Sequence, residues 1–422
     1  MGKLFTVLYY VFILVISLSL AEKIRYDNHK LYSVTPKHLE SLKFLRHLEE
    51  EGWQNYNFWT SPTRVGTPVS ILVAPEGFAE IEKMAASSNM DVKIVHQNVQ
   101  QLIDDESSRS TVSTARSGNF GWDSYHTLDE INSWLISLVE TYPNLLTTVE
   151  GGKTYENRTI LGVKLSYSNA NANNTVFLEA TIHAREWIAP AVQTYILNEF
   201  LTSNNASVRQ LAESYDWYFF PIFNPDGYEY SHTTDRMWRK TRVPHSILCA
   251  GADPNRNWNY HWGVAGTSAS PCSDAYRGPA AFSEPLVRSA AEFIESVAEK
   301  LVAYISFHSF GQMLLLPYGH TSEHLDNYDL VYDIGLKAAE TLRQRYGTEY
   351  VVGTIYDTIY PASGSSVDWV KGMFKTPIAY GYELRDRGEF GFLLPADQIV
   401  PTALETLDSF ITIFEEYEKS KD

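Results

Sequence analysis

Four short apolar segments set the pattern of the larger, C-terminal part of the chain. They cover residues 175–182, 215–223, 301–307 and 377–382, with helical patterns between them. Such segments are typical of strands that helices cover on both faces. Each ends at a polar side chain, and three of these side chains are His183, His308 and Glu383. Because ligands of open α/β sheets bind beyond the carboxyl ends of strands, we expect these three residues to face one crevice.

The preceding residues, 22 to about 105, predict a small separate α/β unit. Strand-like runs occur at residues 30–34, 53–59, 69–73 and 91–95. One helix is predicted to begin at Thr35-Pro36 and to end at Gly52, and a second to begin at Pro75. The apolar stripe expected on the first helix consists of Leu39, Leu42, Leu45 and Leu48.

Residues 106–119 differ from both regions, because they combine many Ser and Thr residues with few apolar side chains. We interpret this segment as a solvated linker with trypsin-type cleavage points at Arg109 and Arg116. An ordinary interdomain linker is the alternative interpretation.

The first 21 residues predict a cleaved signal peptide. Lys3 precedes an apolar run at residues 4–20, and Ser19-Leu20-Ala21 supplies the small residues of a cleavage site. A retained membrane anchor is the alternative, since the run is near the lower limit for a bilayer span. Sequons at Asn157, Asn173 and Asn205 agree with secretion, although such tripeptides also arise by chance.

Composition narrows the function classes further. The 422 residues include 34 basic and 51 acidic side chains, a net charge of −17, which excludes a general nucleic-acid binder. Two cysteines exclude a four-thiolate metal site and a disulfide-dense scaffold. In an oxidising compartment Cys249 and Cys272 are expected to pair and to contribute about 3 kcal/mol.

The motif His183-Ala-Arg185-Glu186-Trp187 carries the first candidate chemistry. An imidazole and a carboxylate three positions apart can close on one metal ion where the chain turns sharply, and His308 could supply a third ligand. Two histidines, one glutamate and an open fourth position describe a catalytic zinc site. Taken alone the pair is a weak pattern, since a histidine at a strand end is more often structural.

Seven motifs together resemble those of the A/B-type zinc carboxypeptidases, in the family's order and approximate spacing over nearly the whole chain. They are His-Ala-Arg-Glu-Trp (183–187), Asn-Pro-Asp-Gly-Tyr (224–228), Met-Trp-Arg-Lys (237–240), Asp-Pro-Asn-Arg-Asn-Trp (253–258), Phe-His-Ser (307–309), Ile-Tyr-Pro-Ala-Ser-Gly (359–364) and Glu-Leu-Arg-Asp (383–386). In this family carboxypeptidase A is a standard example of a catalytic zinc site with two histidines and one glutamate.

The resemblance implies a secreted zymogen with three parts: a signal peptide (1–21), an inhibitory activation segment (22–116) and a catalytic domain (117–422). The implied fold is an α/β domain with a mixed, mostly parallel sheet flanked by helices, preceded by a small α+β ferredoxin-like pro-domain. We expect a monomer with one zinc ion and no stable membrane anchor, activated when a trypsin-like protease cuts after Arg116.

The resemblance also implies catalytic roles. Zinc held by His183, Glu186 and His308 would bind water and polarise the scissile carbonyl, with Glu383 as general base. Arg239 would stabilise the oxyanion, and Asp253 would fix the tautomer of His183. Without the resemblance, Glu383 is more simply interpreted as the partner of an arginine, and residues 236–242 as a solvated basic patch.

Substrate recognition follows the same resemblance. Asn255, Arg256 and Tyr360 match the residues that bind a free C-terminal carboxylate, and Arg256 can form a bidentate pair. Further substrate contacts are implied for Arg185, Ser309 and Phe392.

The implied side-chain pocket is lined by Gly319, Ile355, Val367 and Gly381. Val367 occupies the position where the basic-residue branch carries an acidic group, so a buried Lys or Arg of the substrate would lack a partner. We therefore expect A-type preference for aromatic and aliphatic C-terminal residues. Phe310, where many members have Tyr, and Ser365, where Gly is common, depart from the family pattern.

Two rival hypotheses come from other function classes. A non-catalytic peptide-capture protein would have lost Glu383 or a metal ligand, and all of these residues are present. A zinc deacylase on the same fold would not need Asn255, Arg256 and Tyr360 together.

Overall fold

The computed structural model describes residues 23–87, 90–107, 120–167 and 174–421. The predicted signal peptide, both linker arginines (Arg109 and Arg116) and the sequon residue Asn173 lie outside these ranges. The other two sequon residues, Asn157 and Asn205, are exposed. Among the described residues, no helix combines the length and the apolar character needed to cross a bilayer.

The N-terminal unit is a four-stranded antiparallel sheet in the order β2-β3-β1-β4. Its elements follow the chain as β1 (Lys30–Thr35), α1 (Leu39–Glu51), β2 (Tyr56–Phe58), β3 (Val69–Val73), α2 (Phe78–Ser87) and β4 (Asp91–His96). A further helix, α3, covers residues 99–107. This alternation and strand order confirm the ferredoxin-like prediction.

The start of α1 was predicted too early. Thr35 still belongs to β1, where it pairs with Asp91, and the Pro36 carbonyl accepts a hydrogen bond from Gly66 N at 2.7 Å. The helix therefore begins at Leu39, which is 57% exposed and does not join the buried stripe of the other three leucines. Gly52 ends the helix as predicted, and Pro75 opens a 3-10 turn (Pro75–Gly77) that leads into α2.

The larger unit contains an eight-stranded mixed sheet in the order β11-β10-β12-β9-β7-β8-β6-β5. The strands are β5 (Leu146–Lys153), β6 (Thr159–Leu165), β7 (Thr175–Ala180), β8 (Asp216–Phe220), β9 (Leu301–Ser309), β10 (Met313–Leu316), β11 (Val351–Thr354) and β12 (Ile378–Leu384). The four predicted apolar segments form the central strands β12, β9, β7 and β8, which pair in parallel. This arrangement confirms the predicted fold class.

Helices cover both faces of this sheet. They are α4 (Leu128–Thr141), α5 (Ile188–Thr202), α6 (Ala206–Ser214), α7 (Pro225–Thr233), α8 (Pro285–Val297), α9 (Tyr328–Tyr346), α10 (Ile355–Thr358), α11 (Ser366–Phe374) and α12 (Ile399–Lys419). One core joins the sheet to α4, α5, α9 and α12, and a second core joins it to α8 and α11. Along β7, Val176 and Leu178 face the first core and Phe177 the second, as the two-residue period of a strand requires.

The register of the parallel strands positions the chemistry. His308 of β9 lies directly opposite Glu383 of β12, and His183 follows the end of the neighbouring strand β7. Both strands run two residues past their predicted ends, so His308 and Glu383 project from the sheet itself. The three residues line one cleft, as expected from their positions at the strand ends.

Candidate functional site

The candidate metal ligands come from the end of β7 and from β9. His183 Nδ1 lies 2.8 Å from Glu186 Oε1, and His308 Nδ1 lies 3.0 Å from Glu186 Oε2. The two Nδ1 atoms are 3.1 Å apart, and all three side chains are buried. The two imidazoles lower the pKa of Glu186 despite its burial. This compact set of two imidazole nitrogens and a carboxylate, which lines the cleft, fits zinc.

Asp253 contacts both a candidate metal ligand, His183, and the cleft residue Arg239. Its Oδ1 lies 3.1 Å from His183 Nε2, and its Oδ2 accepts from Arg239 Nη2 at 2.7 Å. Although burial opposes ionisation, Arg239 and His183 hold the pKa of Asp253 well below its usual range. A carboxylate at this position accepts the Nε2 proton of His183, which leaves Nδ1 free to bind a metal.

Glu383 and Arg239 line the same cleft as the three candidate ligands. Desolvation in the cleft raises the pKa of Glu383 to about 8, while His308 acts in the opposite direction and Glu186 adds to the rise. A bound zinc ion would also act against this rise. The nearby arginine in sequence, Arg385, is not paired with Glu383 but with Glu405, since Arg385 Nε donates to Glu405 Oε1 at 2.7 Å.

The residues predicted to bind a terminal carboxylate also come together. Asp253 accepts from Asn255 N at 2.8 Å and so caps a 3-10 turn (Pro254–Arg256) that presents Asn255 and Arg256. Arg256 Nη2 donates to Tyr360 Oη at 3.1 Å, and its Nε donates to Gly266 O at 3.0 Å. The guanidinium is thereby held in a fixed position at the cleft wall.

The predicted side-chain pocket opens from the same cleft, whose volume is about 710 Å³. Ile355, Val367 and Gly381 line it directly. A Cβ on Gly381 would meet only Leu315 Cβ at 3.8 Å, so glycine leaves open space there. Gly319, also predicted to line the pocket, is not among the residues that line the cleft, and a Cβ there would approach Ala362 O to 2.5 Å.

Asp368, beside Val367, is the nearest acidic residue in sequence to this pocket. Its carboxylate is already engaged, because Gly319 N donates to Oδ2 at 2.9 Å and His320 Nδ1 lies 3.1 Å from the same oxygen. Asp368 is also fully buried.

A sequence model described as zinc carboxypeptidase matches residues 131–409, and one described as carboxypeptidase activation peptide matches residues 32–106. The chain belongs to the zinc carboxypeptidase family. It is a zinc-dependent hydrolase that acts on peptide C-termini, and it carries an activation peptide that makes it a zymogen.

Named relatives and a solved structure agree with this assignment. Zinc carboxypeptidase A 1 of Anopheles gambiae is 48% identical over 403 residues, 95% of this chain and 92% of the relative. Carboxypeptidase B of Astacus astacus is 45% identical over 68% of this chain and 95% of the relative. The crystal structure of carboxypeptidase A from Helicoverpa armigera superimposes with a TM-score of 0.85 at 29% identity, covering 94% of this chain and 98% of that chain.

In this zinc carboxypeptidase the activation peptide covers the cleft. Asn57 Oδ1 accepts from Arg185 Nη1 at 3.2 Å, and Trp59 packs against Phe310 and Phe392. Two predicted substrate contacts, Arg185 and Phe392, are therefore occupied by the activation peptide. Ser309, the third, is buried, and its backbone N–H donates to Glu186 Oε2 at 3.3 Å.

A buried ion pair fastens the end of the activation peptide that precedes the linker. Arg236 Nε and Nη2 donate to the two carboxylate oxygens of Glu106 at 2.7 and 3.0 Å. The same guanidinium stacks on Trp187, 3.5 Å from the ring centre. Glu106 thus belongs to α3 and to the interface, which corrects its assignment to the solvated linker.

The Cys249–Cys272 disulfide is present, with a Cα–Cα distance of 5.1 Å. It closes a segment that contains Asp253, Asn255 and Arg256. The expected pairing is therefore confirmed, and the disulfide constrains the loop that supports both the metal site and the carboxylate site.

Sequence reasoning missed several residues that the structure brings to the site. Asn57, Glu106 and Asp274 engage Arg185 or Arg236, and nothing in their local sequence points to a distant arginine. Glu179 was also missed, but its sequence did contain a signal, because it is the only charged residue in the apolar run Thr175–Ile182.

The activation peptide is expected to bind more weakly as pH rises, because of Glu49. This α1 residue accepts from Ser61 Oγ at 2.6 Å and shares an interdomain cavity of about 260 Å³ with Asp274. Burial raises its pKa from 4.5 to about 7, and Asp274 adds to the rise. The docked peptide thus keeps a proton that the released peptide loses, so affinity should fall between pH 4.5 and 7, by at most about 300-fold.

The check is the rate of peptide release from the cleaved proenzyme, followed by size-exclusion chromatography at several pH values. Glu49→Gln, which stays neutral, should lose this part of the pH dependence. Glu50→Gln, at an exposed neighbouring position, should keep it. An unchanged profile for Glu49→Gln would contradict the prediction.

Proposed function

We propose that the protein is a secreted precursor of an A-type carboxypeptidase that removes aromatic and aliphatic C-terminal residues. The observation that carries the proposal is the apolar part of the cleft wall formed by Ile355, Val367 and Gly381, with open space over Gly381. Secretion is supported by the apolar N-terminal run with its small-residue cleavage site and by the Cys249–Cys272 disulfide.

The proposed chemistry assigns proton transfer to Glu383. His183, Glu186 and His308 would hold a zinc ion, which would supply a Lewis acid to polarise the scissile carbonyl and lower the pKa of a water molecule. Glu383 accepts the proton of the attacking water and then delivers it to the leaving amine.

Arg239 is proposed to stabilise the charge that develops on the carbonyl oxygen. Asp253 holds the guanidinium by two hydrogen bonds, at 3.2 Å from Nε and 2.7 Å from Nη2. Asp253 and Glu186 raise the pKa of Arg239 despite its desolvation, so the group stays charged in the cleft. A donor fixed before the reaction needs no reorganisation when the oxyanion forms.

Exopeptidase selectivity is proposed to come from Arg256, Asn255 and Tyr360. Arg256 is the cation for the terminal carboxylate of the substrate, with the Tyr360 hydroxyl beside it. The residue that follows an internal peptide bond carries no such carboxylate. If a substrate were bound for internal cleavage, the buried Arg256 guanidinium would therefore lack a counter-ion from it.

The pocket supports A-type preference through the absence of a counter-ion. Val367 is apolar, and Asp368 is already bound by Gly319 and His320. A substrate Arg or Lys would therefore lose its hydration without gaining a partner. Gly381 leaves space suited to an aromatic ring. The relatives include proteins named carboxypeptidase A and proteins named carboxypeptidase B, so overall sequence similarity does not distinguish the two preferences. The proposed preference therefore depends on the pocket residues.

We further propose that a trypsin-like protease cuts after Arg116, between activation segment 22–116 and catalytic domain 117–422, and that the protein is a monomer. The test measures hydrolysis of peptides ending in Phe, Leu, Arg and Lys before and after trypsin, with and without a chelator. Activity should appear after trypsin, favour Phe and Leu, and disappear with the chelator. A preference for Arg or Lys would contradict the pocket argument.

A single substitution should redirect this preference. Val367→Asp places a carboxylate in the pocket, so the ratio of kcat/KM for C-terminal Arg over Phe should rise by about 100-fold or more. Steady-state kinetics on matched peptides measures this ratio. Val367→Asn, of similar size but neutral, should impair Phe cleavage without the gain for Arg. Equal behaviour of the two variants would show that charge in this pocket does not set specificity.

A further inference from the structure

Glu179 places a carboxylate where the fold otherwise buries apolar side chains. It lies in β7 two residues after Phe177, on the face that packs against the second core, and it is fully buried. Removing a carboxylate from water costs several kcal/mol unless hydrogen bonds or charges compensate. Packing alone therefore does not explain why a carboxylate is buried at this position.

The contacts of Glu179 lead to a candidate metal ligand. Its Oε1 accepts a hydrogen bond from Ser306 Oγ, with Tyr304 Oη and Ser366 Oγ farther away at 3.5 Å each. Ser306 Oγ in turn lies 2.8 Å from His308 Nε2. The opposite ring nitrogen, Nδ1, faces His183 and Glu186. The chain Glu179–Ser306–His308 thus connects a buried carboxylate to the metal-facing atom.

We propose that Glu179, acting through Ser306, is a positioning residue that fixes the tautomer and orientation of His308 for zinc. This inference rests on the ligand set of the proposed function. A serine hydroxyl has one proton, and Glu179 accepts it. Ser306 Oγ is then left as an acceptor for His308 Nε2–H, so the metal-facing Nδ1 carries a free lone pair.

The Asn255 amide also lies near His308 Nε2, and this second contact explains why Ser306 needs a carboxylate partner. Asn255 Oδ1 accepts from Ser366 N, so its amide nitrogen faces His308 Nε2 at 3.4 Å. That amide favours an unprotonated Nε2, which is the wrong tautomer for binding zinc through Nδ1. Ser306 is closer and is committed to accepting, because its own proton goes to Glu179. His183 has the corresponding partner directly, in Asp253.

The test is zinc affinity of the full-length protein, measured by competition with a chelator at pH 8. Burial raises the pKa of Glu179 to about 7, so at pH 8 the carboxylate is the acceptor. Glu179→Gln and Ser306→Ala should each weaken zinc binding by about 10–100-fold. The double variant should bind zinc little more weakly than either single variant, because both substitutions break the same connection between Glu179 and His308. Tyr304→Phe, which removes another hydroxyl near the same carboxylate oxygen, should change the affinity less than about twofold.

A spectroscopic readout separates positioning from a purely structural role. The visible absorption of the cobalt-substituted protein should change in Glu179→Gln and Ser306→Ala but stay as in wild type in Tyr304→Phe. If Glu179→Gln does not fold, Ser306→Ala, which removes a single oxygen, decides the matter. Wild-type affinity and spectrum in Ser306→Ala, or additive losses in the double variant, would overturn the inference.

The design also separates this inference from the proposed function. His308→Ala should lose zinc outright. If it binds zinc like wild type, the ligand set itself is wrong and the inference fails with it. If His308→Ala loses zinc while Glu179→Gln and Ser306→Ala do not, only the positioning role is wrong.

Discussion

Replacing Glu383 with Gln is expected to lower kcat by about 10²–10⁴-fold while leaving zinc content unchanged. Glutamine keeps the size of the side chain but cannot accept the proton of the attacking water. Glu383 is separate from the three metal-facing residues, so the metal site should remain intact. The trypsin-activated variant would be assayed on a peptide ending in Phe, with zinc measured by atomic absorption.

Glu389→Gln is the matched control, because this exposed carboxylate lines the rim of the same cleft. It should retain near wild-type kcat. A Glu383→Gln enzyme with undiminished kcat would rule out the proton-transfer role. Loss of zinc from that variant would instead indicate a role in metal binding.

Replacing Arg239 with Ala is expected to lower kcat by about 10²–10³-fold, with a smaller change in KM. The guanidinium is held by Asp253 and faces the cleft, where it can donate to an oxygen that becomes negative only during the reaction. Such a contact stabilises the transition state more than the bound substrate, so its loss appears mainly in kcat.

Arg387→Ala provides the comparison, since Arg387 is an exposed cation that lines the same cleft. It should change kcat little. Zinc affinity must be measured in Arg239→Ala as well, because Asp253 loses one of its partners there. Equal losses in the two variants would attribute the effect to the general charge of the cleft and contradict the specific role of Arg239.

The sheet and its crevice were predictable because the central strands are mostly apolar on both faces, with Glu179 as an exception. Residues 175–182 and 301–307 could hardly be anything but buried strands, and the polar residues after them had to meet at one edge of the sheet. The grouping of Glu186 with His183 and His308 depended on the family resemblance. A spacing of three residues alone does not show that the chain turns there.

The interface between the two units was not predictable in the same way. Asn57 and Arg185 are 128 positions apart, and Glu106 and Arg236 are 130 apart. Nothing in the local sequence of Asn57 or Glu106 points to a distant arginine, so only the docked fold shows the pairing. The misplaced start of α1 also has a long-range cause, since Thr35 pairs with Asp91 of β4 and so belongs to the sheet.

His308 and Glu383 occupy one rung of the ladder between two neighbouring parallel strands. Their separation is therefore set by backbone hydrogen bonds between strands about 4.8 Å apart. Among the residues described, the activation peptide adds no strand to that sheet. Proteolysis thus changes access to a site that folding has already assembled. We therefore expect the time course of activation to follow the release of the activation peptide from the cleft.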